Sequence, residues 1–442
     1  MADTRTAMLR LSALVGERSL FEKEAYRRLW LAKLISHIPS DAMIYTMLIL
    51  VVDATGKSFF SSLFVVAYIA PSALLGTVSG VLVDRAPKGL VLAATNAARA
   101  GLCVLLAVSA DNVLTIYLIA VMFAVAGQFS SPAESASLPL VVGPADFTAA
   151  NSLNNLGQLL AQIAGLMVLP ALFLKTVGVD ALAIVCALMF GAAAVQFLLI
   201  PGLGGAVGDM AMSIEDTRER FAEAWHELTL DSVSYVALII AVLANTTGLV
   251  VTTLLPRFGN QVLGISTENI IFVAAPAAAG IWLALRFVRR MSRGVSPWWS
   301  VGGSFAALLG LVMALAFMAP AGDALARANP AGLFDPGPFG EGTARIIVTG
   351  VVGAALAFAF TFVNIVSRSI VNERIPREIQ GRVFAGQAVL TNLASIPPIL
   401  LTGVLADIVG IAPVFFLMAV IAGLVAAYFA ARSLARPVAV AY

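Results

Sequence analysis

Asp41 is a carboxylate inside hydrocarbon: it stands about 12 residues into an apolar run that starts near residue 29, roughly 18 Å along a helix axis. That depth is close to the middle of a bilayer, where an ionised group is costly and faces a cavity or a partner. The partner of matching depth is Arg99, in a later apolar run. Two roles stay open for the pair: a fixed salt bridge that braces its helices, or a site that takes up and releases protons. His37 lies one helical turn from Asp41 on the same face, within HIPSD. It could relay a proton to Asp41, or simply be a polar group satisfied near the interface.

A second set of chemically equipped residues is made of amides and hydroxyls on otherwise apolar runs. Asn151, Asn154, Asn155, Gln158 and Gln162 fall along one helical stripe; Asn245 and Thr246, then Asn364, Gln387 and Asn392, follow in the later runs. Polar groups between packed helices serve as glue, worth about 0.6 kcal/mol each on average. A stripe this long exceeds what glue requires, so these residues are expected to line a substrate cavity. So lined, the cavity is expected to be mostly apolar with few charges. That points away from sugar phosphates and carboxylates, which want Arg or Lys facing inward, and toward an amphiphilic or lipophilic solute.

The elements that must hold these residues follow from composition. The chain has 442 residues, 60% hydrophobic and 12% charged, with mean hydropathy +0.95. A soluble domain carries about 25% charged residues, so this is a membrane protein. The net charge of +2 excludes a bulk electrostatic attraction to nucleic acid. Cys103 and Cys186 both sit in apolar runs and read as buried thiols.

Cut at bilayer-spanning length, the sequence gives twelve segments: 29–53, 58–83, 89–109, 113–133, 149–174, 179–201, 233–257, 268–290, 297–319, 344–367, 381–406 and 411–432. They do not alternate as barrel strands do, so the expected fold is all-α. With the N-terminus inside, most of the 27 Lys and Arg fall on the cytoplasmic side, leaving Lys57, Lys175, Arg257, Arg327 and Arg345 outside. Both termini are then cytoplasmic, in the cell (inner) membrane.

A repeat divides the chain. PADFTAANSLNNLGQLLAQIAG from Pro144 and PREIQGRVFAGQAVLTNLASIP from Pro376 each open a helix after a cytoplasmic turn, and Gly178 and Gly410 then fall at the same offset. Expected domains are a cytoplasmic segment 1–28, a six-helix half 29–201, a linker 202–232, a second six-helix half 233–432 and a tail 433–442. Within the linker, Ser213 with Asp216 reads as a helix cap, and Ile214, Phe221, Trp225 and Leu228 as an apolar face lying on the membrane surface. Residues 320–343, rich in Pro and Gly, read as an irregular outer loop.

The turn between the second and third segments, GVLVDRAPKGLVL (residues 80–92), interrupts the hydrocarbon with three charges. Gly80, Leu82, Asp84 and Arg85 resemble the loop signature Gly-x-Leu-x-Asp-Arg-x-Gly-Arg-Lys of the major facilitator superfamily, with Pro87 and Gly89 in place of its second Gly and final Lys. The resemblance runs over most of the chain. SPAESASLPLVVGPADFTAANSL and ERIPREIQGRVFAG look most like the exporter branch that includes macrolide efflux pumps and enterobactin exporters. It implies twelve helices in two pseudo-symmetric halves around a central cavity, with the loop charges holding an inner gate. Gly76 and Gly80 are expected to let the second helix approach a neighbour, and Arg85 is expected to pair with Glu134. Two features of exporters are absent: Leu166 stands after Gly165 where a proline is expected, and the fourth segment carries no Arg.

No phosphate loop, His-Glu-x-x-His or other hydrolytic motif occurs, and there are only two histidines. The expectation is a non-enzymatic secondary active transporter, without cofactor or metal, exporting an amphiphilic or lipophilic small molecule by alternating access as a monomer among membrane lipids. Proton coupling is left open. Alternatives are a lipid or lysophospholipid translocator and, in another class, a receptor or scaffold that moves nothing.

Overall fold

A computed structural model describes residues 20–143, 146–204, 225–265, 270–291, 294–328 and 343–434. In chain order the helices are α1 (Glu24–Thr55), α2 (Ser58–Asp84), α3 (Lys88–Ala107), α4 (Val113–Val141), α5 (Phe147–Ile163) and α6 (Leu169–Thr176), with a π-helical turn (Ala164–Val168) joining α5 to α6. They continue with α7 (Val179–Leu198), α8 (Ser232–Phe258), α9 (Ile270–Met291), α10 (Pro297–Leu315), α11 (Met318–Ala328), α12 (Thr343–Arg374), α13 (Arg377–Val409) and α14 (Ile411–Leu434). Counting α5 and α6 as one broken pass, and α11 as too short to span, these are the twelve passes expected from the sequence. Among the described residues, nine helices are long and apolar enough to cross a membrane. The all-helical build is what lipid demands, because every backbone donor must be satisfied within its own segment.

Contacts divide the chain into two units. One holds Met1–Leu50 and Ala67–Ile214; the other holds Val51–Val66 and Glu215–Tyr442. Thus α1 passes into the second unit after Leu50, and α2 leaves it after Val66. In the first unit α3 packs along α7 and α4. The start of α1 is sewn to α5: the Tyr26 hydroxyl donates to the Ala150 carbonyl (3.1 Å) and the Trp30 indole N–H to that of Leu153 (2.9 Å). Around them Leu20, Phe21, Leu29, Leu138, Leu153 and Phe197 form a buried cluster. In the second unit α9 packs against α12, and Leu228, Leu238, Val242, Val371, Ile375 and Val383 form the corresponding cluster.

The repeat has a backbone signature. Gly178, before α7, adopts φ 95°, ψ 176°, and Gly410, before α14, adopts φ 86°, ψ 167°. That region is essentially closed to residues with a Cβ, so glycine is needed at both places.

Of the linker's apolar face, Ile214, Phe221 and the Ser213 cap lie outside the described residues; Leu228 is buried and the Trp225 ring stands 6.3 Å from that of Tyr235. The segment expected as irregular loop instead begins as helix α11. The cause is tertiary: Asp323 forms an ion pair with Arg345 at the head of α12 (2.6 Å), and Gly322 packs on that arginine, where an added Cβ would lie 2.7 Å from its Cα. The hydrogen bond from Arg345 holds the Asp323 carboxyl below its ordinary value of 3.8. A carboxylate pKa depressed by folding contributes stability above 3.8 and loses it as pH falls through the lowered value. Acidification through that lowered value therefore should free α11, read as faster amide exchange across Met318–Ala328, and Asp323→Asn should abolish that pH dependence.

Candidate functional site

The first unit contains a cavity of about 460 Å³ where α1, α2, α3, α4 and α5 meet. Its charged lining is Lys33, His37, Asp41, Arg99 and Glu134, joined by Tyr68, Ser130, Asn151, Asn154, Asn155 and Gln158. Trp30, Leu34, Ile44, Leu138 and Phe147 supply an apolar wall.

The helices are irregular where they carry these groups. Pro39 interrupts the hydrogen bonding of α1 between His37 and Asp41, and Pro132 and Pro139 flank Glu134 on α4. Opposite Asp41, the chain between α5 and α6 widens into the π turn. Gly165 lies in that turn, and a Cβ there would stand 2.9 Å from Asp41 Cβ and 3.2 Å from the Ala42 nitrogen, and would also meet the Ile38 carbonyl. The π turn can therefore lie directly on α1 only because residue 165 is glycine. Gly165→Ala is expected to cost about 1–3 kcal/mol as an overpacked contact, seen as a lower melting temperature, whereas Gly143→Ala, with nothing within 4 Å of an added Cβ, should change it little.

His37 Nε2 lies 3.0 Å from a Glu134 carboxylate oxygen. Lys33 donates to the Glu134 main-chain carbonyl (3.2 Å). Behind them the Ser36 hydroxyl donates to Asn96 Oδ1 (2.7 Å), and Asn96 Nδ2 to the Leu92 carbonyl (2.7 Å), tying α1 to α3 within the buried interior. Asp41 feels the charges of both His37 and Arg99. The ion pair expected between Asp41 and Arg99 is not made. Instead the Arg99 guanidinium lies over two rings, 5.5 Å from the Phe123 centroid and 5.9 Å from that of Phe190. Nor does Glu134 pair with Arg85, since His37 has taken it. Sequence spacing gave equal depth in two helices, but not the rotations that aim the side chains.

The amide stripe divides at its end: Asn151, Asn154, Asn155 and Gln158 line the cavity, and Gln162 is exposed outside it. In the second unit a cavity of about 500 Å³ takes Asn245, Asn364, Gln387 and Asn392, with Arg368 lying 4.8 Å over the Phe384 ring. Asn245 Nδ2 donates to Asn364 Oδ1 (2.8 Å). Thr246 is not part of it. One residue on, it turns about 100° round the helix and lines a separate, apolar cavity of about 580 Å³ between α8, α13 and α14.

In the GVLVDRAPKGLVL turn, Asp84 and Arg85 are exposed, while Lys88 is buried and its Nζ caps the end of α2 through the carbonyls of Val83 (2.6 Å), Asp84 (3.1 Å) and Ala86 (3.3 Å). Added Cβ atoms at Gly76 and Gly80 would meet nothing within 4 Å, so among the described residues neither glycine serves a close helix approach. The close contact is Gly89, whose N–H donates to the Leu203 carbonyl (3.1 Å) and whose added Cβ would lie 3.2 Å from Leu203 Cβ. These loop contacts were hidden in the sequence because a lysine in a turn reads as solvated.

At the other end of α2, Ser58 N and Phe59 N donate to the two carboxylate oxygens of Asp407 (2.7 and 2.9 Å). Arg257 pairs with the same carboxylate and donates to the Ser58 hydroxyl (3.0 Å). Gly403, one turn before Asp407, would place a Cβ 3.0 Å from the Ser58 carbonyl. The tip joining α1 to α2 is thereby fastened to α8 and α13 within the second unit.

The sequence profile described as Major Facilitator Superfamily matches residues 29–334. The chain belongs to that superfamily. No match is found among curated proteins. Among solved structures, the nucleoside transporter NupG is similar with a TM-score of 0.66 at 13% identity, covering 93% of this chain and 100% of that one. A bacterial homologue of the human lysosomal transporter Spinster gives 0.66 at 13%, covering 93% and 97%. The POT family transporter PepTSo gives 0.67 at 12%, covering 94% and 99%. At such identities the likeness shows the fold. The protein is a multi-pass membrane transporter with a small-molecule substrate, and not an enzyme.

Among the residues of the transporter's cavity, sequence reasoning missed Lys33, Trp30 and Tyr68. For Lys33 a signal existed: Lys33, His37 and Asp41 recur every fourth residue and so share one face of α1. The expectation of a nearly uncharged cavity is corrected, because both Lys33 and Arg99 line it.

Proposed function

We propose that the protein is a proton-coupled secondary transporter that exports an amphiphilic small molecule by alternating access, with both termini on the cytoplasmic side of the inner membrane. The observation that carries the coupling is the His37–Glu134 bridge, with Asp41 one turn away, inside a cavity bounded by proline-broken helices and a π turn. Ionisable groups within a membrane segment are expensive to keep and mark substrate pathways or relays of acids and histidines that carry protons. A proton arriving at the cavity meets His37, Asp41 and Glu134, in a field set by Lys33, Arg99 and the Tyr68 hydroxyl. A proton taken up by the Glu134 carboxylate removes the charge that holds protonated His37 and so loosens α1 from α4, which links charge to helix movement.

The amphiphilic substrate is supported by the division of the cavity wall into amides on α5 and the apolar set of Trp30, Leu34, Ile44, Leu138 and Phe147. Export is supported by the exporter-branch resemblance of residues 131–153 and 373–386. The exposed Asp84 and Arg85 stand where that resemblance places an inner gate.

Purified protein in vesicles containing a trapped pH indicator tests this reading, with anionic, cationic and neutral amphiphiles added outside. The expected result is proton movement on addition of at least one of them, absent from empty vesicles. Substrate movement with no proton movement would remove the coupling; movement of neither would favour a receptor or scaffold.

A further inference from the structure

Arg99 is 6% exposed, yet its guanidinium makes no hydrogen bond or ion pair with the described residues. Its Nε is buried without a partner, and the residue lines the first unit's cavity. Gly127 leaves the guanidinium room: a Cβ there would stand 3.1 Å from Nη2. A buried guanidinium whose Nε–H has no partner is costly, and two aromatic faces offset only part of that cost. The other cation on the wall is committed, since Lys33 donates to a carbonyl on α4. Two acids act on Arg99 through space, but Glu134 is bridged to His37 and Asp41 is packed through its Cβ against the π turn at Gly165, and neither forms an ion pair with Arg99.

We propose that Arg99 is the receptor for an oxyanion head group, a carboxylate, sulfonate or phosphate, carried by the transported amphiphile. The planar fork of a guanidinium matches two oxygens of such a group, and a desolvated site strengthens the bond. The ligand's apolar body then lies along Trp30, Leu34 and Leu138, and its other polar groups meet Asn154, whose Oδ1 is also buried without a partner. Outward movement of an anion is favoured by an inside-negative potential, by about 2.3 kcal/mol per elementary charge per 100 mV, which agrees with export. The inference rests on the proposed transport function for its substrate, but it concerns binding and is read separately from proton flux.

Three probes with one body and different heads separate the possibilities, 4-phenylbutane-1-sulfonate, 4-phenylbutan-1-ol and 4-phenylbutyltrimethylammonium, and lysophosphatidylglycerol serves as a fourth, lipid probe. Detergent-solubilised protein is titrated with each while melting temperature and Kd are followed. The sulfonate should stabilise wild type, the alcohol and the ammonium should not, and Arg99→Gln should weaken sulfonate binding by at least about tenfold, the factor expected when one charge-assisted pair is lost. Arg99→Lys, which keeps the charge but not the fork, should fall between. If Arg99→Gln does not fold, the head-group series on wild type and Arg99→Lys still decides. Equal or greater stabilisation by the alcohol or the ammonium, unchanged sulfonate affinity in Arg99→Lys and Arg99→Gln, or no shift with any probe including lysophosphatidylglycerol would each overturn the assignment. Stabilisation by lysophosphatidylglycerol alone, lost in the arginine variants, would support the oxyanion site and make its source a lipid. Because binding is measured without a gradient, a transporter that binds the sulfonate but moves no protons fails the coupling and keeps the site.

Discussion

Glu134→Gln is expected to abolish substrate-linked proton movement in reconstituted vesicles while the protein remains inserted and able to bind its ligand. The substitution keeps the shape of the side chain and its place on α4, but removes the charge that holds His37 at 3.0 Å. Removing one member of a buried ion pair costs about 3–5 kcal/mol. Here the His37 side chain remains 30% exposed, so a loss on the order of 2–3 kcal/mol is the better expectation. The melting temperature should therefore drop by several degrees. His37→Gln in the same assay leaves Glu134 beside Lys33 and should be milder in stability yet equally severe in coupling. The double variant should recover stability relative to Glu134→Gln, because no unpaired partner remains, without recovering proton movement. Normal proton movement in Glu134→Gln would show that the bridge is a brace and nothing more, and would leave Asp41 as the residue to examine.

Asp407→Ala should release the tip between α1 and α2. Its carboxylate accepts from the first two backbone donors of α2 and pairs with Arg257, three interactions of the kind that contribute about 1.5–3 kcal/mol each when charged. Even one such loss, expressed locally, accelerates amide exchange about tenfold, since tenfold corresponds to about 1.4 kcal/mol. Peptides covering Ser58 and Phe59 should therefore exchange at least about ten times faster in Asp407→Ala. Asp407→Asn, which can still accept from a backbone donor, should exchange at an intermediate rate. Arg257→Gln should produce a smaller increase than Asp407→Ala, because the cap on Ser58 and Phe59 survives it. Unchanged exchange in Asp407→Ala would mean that packing at Gly403 holds the tip without help from the carboxylate.

The twelve passes were legible in the sequence because lipid makes only one demand, about 20 apolar residues in a helix that satisfies its own backbone, while ends such as those of α4 and α12, which run on to Val141 and Arg374, were not. The repeat was legible for a similar reason: Gly178 and Gly410 occupy a backbone region that almost only glycine enters, so the residue type itself records the conformation. Depth along a helix was also fixed, and Asp41, His37, Arg99 and Glu134 do come to one cavity. Which of them touch was decided by tertiary structure. Pairing depends on the rotation of each helix about its axis, and here that rotation is set by remote contacts: Tyr26 and Trp30 sewing α1 to α5, Ser36 to Asn96, and the π turn seated on Asp41 through Gly165. Those contacts turn Glu134 to His37 and leave Arg99 between two phenylalanines. The same limit explains Thr246, whose neighbour Asn245 has equal depth but faces another cavity. It explains Asp407 and Lys88 as well, ordinary charges at segment ends in the sequence, whose partners are backbone groups that no residue letter reports.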